Sequence, residues 1–173
     1  MIKLAQAANI GTIAGLISFS IFFLLSLAGA NALISWNYLI CWIAPIWFII
    51  SIKRIRDREM EGFISYWEAF RSVMLSGFFF ASLYSAMVYL YVVFVDPGMF
   101  DGLKEIMLVG MEKLEGTVSS SMYDKMLEGV DELTIATFCQ GKYVNNLIWM
   151  LLCAFILAGI VRKKRDLFSD PTL

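Results

Sequence analysis

The amino-acid sequence predicts an all-α, polytopic membrane protein: four transmembrane helices, with an extracytoplasmic helical insertion between helices 3 and 4. Three observations carry the prediction. Of 173 residues, 60% are hydrophobic and only 17% charged, whereas an ordinary soluble domain is about 45–50% apolar even with glycine counted. Four apolar stretches, at about 9–28, 33–52, 72–95 and 143–161, match a hydrocarbon core that takes about 20 helical residues. Lysines and arginines gather in two short stretches and carboxylates in a third, so the net charge of −1 conceals an asymmetry that sets membrane orientation.

Each element follows in turn. On the first span Ala7, Gly11 and Gly15 recur at four-residue spacing, a small-residue seam through which helices approach closely in lipid. Ala28-Gly29-Ala30 also resembles a signal-peptide cleavage site, which makes removal of residues 1–30 the rival reading. The intact helix is preferred, because the apolar run exceeds the usual h-region of about 7–15 residues and Lys3 is the one early charge. Residues 29–32 then form so short a connection that spans one and two make an antiparallel hairpin. Pro45 frees a backbone carbonyl in the second span and is expected to kink it. A basic loop, 53–61, follows with Lys53, Arg54, Arg56 and Arg58.

The third span carries a second seam, Gly77, Ala81 and Ser85, and ends at Asp96, Pro97 and Gly98, where proline forbids continuation and glycine permits a turn. Residues 96–141 hold nine carboxylates against Lys104, Lys113 and Lys125, which marks them as the outside segment. Within it Phe100, Leu103, Met107, Met111 and Leu114 share one helical face, with Asp101, Lys104, Glu105, Glu112 and Glu115 largely off it. A second amphipathic helix is expected from Ser121 as N-cap, with Asp124 three residues on, through Met122, Met126, Val130 and Leu133. The fourth span carries Ala154 and Ala158 and stops at Arg162-Lys163-Lys164-Arg165. The basic loop and both termini are therefore expected in the cytoplasm.

The absence of histidine excludes most transition-metal sites, imidazole general-base chemistry and Ser/His/Asp triads. Cys41 and Cys153 lie in apolar runs and Cys139 is expected near water, so neither a disulfide framework nor a CxxC pair can be drawn. Asp124, Glu128, Asp131 and Glu132 lack the spacing of a calcium loop and read as a solvated face. Asn145 and Asn146 suit interhelical hydrogen bonding or interfacial placement, Ser119, Ser120 and Ser121 have no base beside them, and the ten methionines fill apolar gaps. No cofactor, metal or nucleic-acid partner is expected.

The sharpest candidate is the stretch EGFISYWEAFR, 61–71, ahead of the third span. Ionisable residues near a span often mark an ion path or a docking point. Ser65 and Glu68, however, fit the capping-box pattern, and a carboxylate suits the positive end of a helix dipole. A helix from Tyr66 to Val95 would be about 45 Å long, well beyond a hydrocarbon core of about 30 Å. Its first turns would then sit among headgroups, with Tyr66 and Trp67 as aromatic anchors and Arg71 reaching phosphates or pairing with Glu68. Capping and anchoring therefore lead, ahead of partner docking by Ser65, Trp67, Glu68 and Arg71, and of transport or catalysis.

The pattern G-F-I-S-Y-W-E-A-F-R at 62–71 and F-V-D-P-G-M-F at 94–100 resembles the small bacterial membrane-protein family catalogued as domain of unknown function 4199. The resemblance rests on Gly62, Ile64, Ser65, Tyr66, Ala69, Phe70, Arg71, Asp96, Pro97 and Lys163-Lys164, and in layout it extends over nearly the whole chain. It implies a fold and a bacterial inner-membrane location, and no catalytic activity.

The expected function is non-enzymatic: a membrane protein embedded in the lipid bilayer and acting by association, as an accessory subunit with a protein partner or as a homo-oligomer. The small-residue seams are expected within the four-helix unit before any interface between copies. The alternative is a small ion or amphiphile transporter or channel built from an oligomer, suggested by Pro45, Glu68, Arg71 and the two asparagines.

Overall fold

The computed structural model describes residues 2–34, 37–114 and 116–163. Glu115, Lys164 and Arg165 fall outside the described residues, as do the side chains of residues 37–41, Cys41 among them. The fold is all-α, with six helices: α1 Leu4–Leu27, α2 Asn37–Glu59, α3 Tyr66–Phe94, α4 Gly98–Glu112, α5 Ser120–Asp131 and α6 Ile135–Val161. Among the described residues three of them, α1, α3 and α6, are long and apolar enough to cross a membrane, so of the four expected spans the one at 33–52 is not shown as such.

α3 is the hub. It packs most extensively on α6 and α1, while α2 closes the ring by touching both α1 and α6. The backbone of α1 lies so close to α3 that a Cβ on Gly11 would collide with the Ser76 carbonyl and come within 2.8 Å of Phe79 Cβ. Further along, Gly15 faces Leu83 and the Phe22 ring meets Tyr91 edge-on, so α1 and α3 run parallel. On the other side of α3, Phe70 packs against Phe155 and Gly77 against Met150, so α6 runs antiparallel to it. Glycine at Gly11 and Gly77 thus brings backbones together where lipid offers no hydrophobic drive to do so.

Elsewhere the residues reveal why elements stop where they do. α1 ends in a left-handed glycine cap: Gly29 has φ +79°, its N–H reaches the Ser26 carbonyl, and the Ala30 N–H reaches that of Leu25. The Ala28-Gly29-Ala30 triplet is therefore helix-ending geometry. Asn31 Oδ1 then accepts from the Leu33 N–H at 3.2 Å, which keeps residues 33 and 34 in the turn instead of in the second helix. α2 continues through 53–59, where a loop was expected, because lysine and arginine are good helix formers and suit the negative end of a helix dipole. Pro45 is buried inside α2.

The insertion holds two helices, as expected, with shifted bounds. α4 starts at Gly98, where Asp96 Oδ1 accepts from the Met99 N–H at 3.2 Å. α5 is preceded by Ser119, not Ser121, and that serine makes no side-chain cap bond. α6 begins eight residues ahead of the expected fourth span, started by Thr134, whose hydroxyl accepts from the Thr137 N–H while Thr137 Oγ1 accepts from the Thr134 N–H. The longer α6 changes the setting of Cys139, which is buried against the bundle, not near water.

Candidate functional site

The bundle has a basic end, where α1 and α3 begin and α2 and α6 finish, and an acidic end that carries the insertion. The stretch 61–71 builds the basic end. After α2, Glu61 and Gly62 turn the chain with φ of +54° and +81°, the second a conformation that glycine adopts without steric cost. The Ser65 hydroxyl accepts from the Glu68 N–H at 3.3 Å, and Glu68 Oε2 accepts from the Ser65 N–H at 3.2 Å and from its hydroxyl at 2.9 Å. Two of the free donors at the start of α3 are thereby satisfied. Ser72, one turn on, donates its hydroxyl back to the Glu68 carbonyl at 2.6 Å.

Around this helix start, residues far apart in the chain are tied together. Ile64 and Lys163 exchange both backbone bonds, N–H to carbonyl at 3.2 and 3.1 Å, as an antiparallel bridge. Arg56 Nη1 donates to the Val161 carbonyl at 2.8 Å, placing a guanidinium on the open C-terminal end of α6. The Arg56 Nε donates to Asp57 Oδ1 at 2.7 Å, and that bond holds the Asp57 carboxyl below the usual carboxylate range. Tyr66 Oη donates to the Phe155 carbonyl at 3.1 Å, Lys163 Nζ sits 5.9 Å from the Phe63 ring centre, and Gln6 donates to Glu59 at 2.6 Å to join α1 to α2.

The structure separates the four residues of the candidate site. Ser65 and Glu68 hold each other. Trp67 is 64% exposed, edge-on to Tyr66 and Phe70. Arg71 is exposed on the rim of a cleft of about 310 Å³ lined by Ile2, Phe70, Ser72, Met74 and Leu75, and among the described residues it forms no ion pair with Glu68. Of the packing residues, Gly11 and Gly15 face α3, Gly77 faces α6, and Ala81 and Ser85 are buried. Asp96 and Pro97 sit between α3 and α4. The contacts of Arg56, Ile64 and Lys163 were missed by sequence reasoning, which named these residues as orientation signals or as bearers of the resemblance: nothing local marks a partner a hundred residues on.

At the acidic end Asn31 Nδ2 donates to the Met99 carbonyl at 3.0 Å, joining the α1–α2 turn to α4, and Lys104 Nζ donates to the Asp131 carbonyl at 3.2 Å, joining α4 to the end of α5. Asn145 is exposed in a groove of about 440 Å³ with Thr137 and Lys142, whereas Asn146 is buried. Asp124, Glu128, Asp131 and Glu132 lie on α5 and just past it, and among the described residues no three acidic or cysteine side chains are grouped as a metal ion requires.

Three long apolar helices, a ring-closed bundle and a polar clasp at one end define a helical multi-pass membrane protein. Within that class, the chain belongs to the family described as Protein of unknown function (DUF4199), whose model matches residues 9–163. No curated protein and no solved structure matches the chain.

Proposed function

We propose that the protein is a non-enzymatic, four-span protein of the bacterial inner membrane that works by associating with another membrane protein or with further copies of itself. The apolar part of α2 is the fourth span, paired with α1 as a hairpin. Both termini and the basic end face the cytoplasm, in keeping with Lys53, Arg54, Arg56, Arg58, Arg162 and Lys163 all lying there. The observation that carries the association reading is the insertion. Beyond Leu103, α4 leaves Ile106, Met107 and Val109 exposed, and α5 leaves Met122 exposed, an apolar surface of the kind that marks interaction sites.

A conduction path within a single copy has less support, because a pocket beside Ser85, lined from α1, α3 and α6, measures about 10 Å³, space for about one water molecule. Purification in mild detergent with chemical crosslinking tests the proposal. Crosslinked oligomers or a stoichiometric co-purifying membrane protein are expected, weakened by Met107→Asp or Met122→Asp; a strictly monomeric species with no partner overturns it.

A further inference from the structure

Arg71 presents an unusual combination: an exposed side chain one turn into a long apolar helix, lining a half-open apolar cleft. The carboxylate placed to neutralise it, Glu68 at i−3, is oriented toward Ser65 by the capping box. The cleft runs between Ile2 and the face of α3 formed by Phe70, Met74 and Leu75. Ser72, its one hydroxyl, is already donating to the Glu68 carbonyl, which leaves the wall effectively apolar. Its volume of about 310 Å³ falls at the lower end of ordinary ligand sites, about 300–1,000 Å³.

Depth selects the ligand. α3 has 29 residues, about 44 Å at 1.5 Å per residue, against a hydrocarbon core of about 30 Å. Its first turns therefore stand among headgroups, and the exposed Trp67, one turn before Arg71, is the kind of side chain found at that level. The guanidinium then lies at phosphate height and the cleft at the height of the first acyl methylenes. A planar fork of N–H donors matches two phosphate oxygens, and the apolar cleft matches a chain attached to that phosphate.

We propose that Arg71 and this cleft form a phospholipid site, with the guanidinium holding the phosphate diester and the space between Ile2 and the Phe70–Met74–Leu75 face receiving one acyl chain. The site requires the membrane reading of α3 alone, and holds whether or not the bundle associates with a partner.

The test uses the full chain, purified in mild detergent, stripped of lipid and titrated with dioleoylphosphatidylglycerol, with bound lipid counted by native mass spectrometry. One saturable lipid adduct is expected. Arg71→Gln raises the lipid concentration for half-occupancy on the order of tenfold, as loss of a hydrogen bond to a charged group implies, and Arg71→Lys, which loses the fork but keeps the charge, falls between. Leu75→Trp, filling the cleft from a partly exposed position, weakens the adduct with Arg71 intact, while Lys113→Gln at the opposite end leaves it unchanged. An unchanged melting temperature in each variant shows that the fold survives. The proposal is overturned if Arg71→Gln binds lipid as the parent does, if inorganic phosphate displaces the lipid as effectively as a second phospholipid, or if a crosslinker at position 75 captures a protein in lipid-replete membranes.

Discussion

The glycines that line the seams of α3, Gly11, Gly15 and Gly77, and those of the outer part of the insertion, Gly110, Gly116 and Gly129, live in opposite surroundings. A Cβ on Gly11 would strike the Ser76 carbonyl and one on Gly77 would come within 2.9 Å of Met150 Cβ, whereas at Gly110, Gly116 and Gly129 it would meet nothing within 4 Å. The same residue type is therefore a packing device in one place and free of packing constraint in the other. The basic end is further fastened by side-chain and backbone bonds among α2, α3 and α6, and the acidic end by Asn31 to the Met99 carbonyl and Lys104 to the Asp131 carbonyl. The contrast suits an insertion that adapts to a surface, held on a bundle that does not deform.

Substitutions can break this contrast. Gly11→Leu should have the largest effect, a loss of about 3 kcal/mol, because the obstacle is backbone and cannot rotate away; thermal unfolding in mild detergent, followed by circular dichroism, measures it. Gly77→Ala is expected to cost about 1–2 kcal/mol by the same assay, since Met150 is flexible beyond its Cβ and yields in part. Ser65→Ala removes the cap of α3 and should cost about 1 kcal/mol, with faster amide hydrogen exchange confined to the first turn. Gly129→Ala reverses the sign: with open space around it and α5 already helical, about 0.5–1 kcal/mol is gained. A loss at Gly129 equal to that at Gly77 would abolish the distinction between the two regions.

The long helices were legible because apolar runs report burial in lipid directly: the expected 9–28, 72–95 and 143–161 lie within or close to Leu4–Leu27, Tyr66–Phe94 and Ile135–Val161. What hydropathy misreads are helical turns outside the apolar run. Lys53 to Glu59 and the first eight residues of α6 are polar enough to pass for loop, although Thr134 and Thr137 carried a readable cap signal. In the candidate site, the pairing of Ser65 with Glu68 was legible because it is local. The meeting of Arg56 with Val161 and of Ile64 with Lys163 was not, since both depend on how α2, α3 and α6 arrange themselves in three dimensions.

The bridge between Ile64 and Lys163 also orders events in time. Its two halves are separated by almost the whole second part of the chain, so during synthesis α3 enters the bilayer with the Ile64 backbone still waiting for its counterpart. The clasp forms after α6 has been threaded, and once formed it fixes the sliding register of α6 against α3 at that tip.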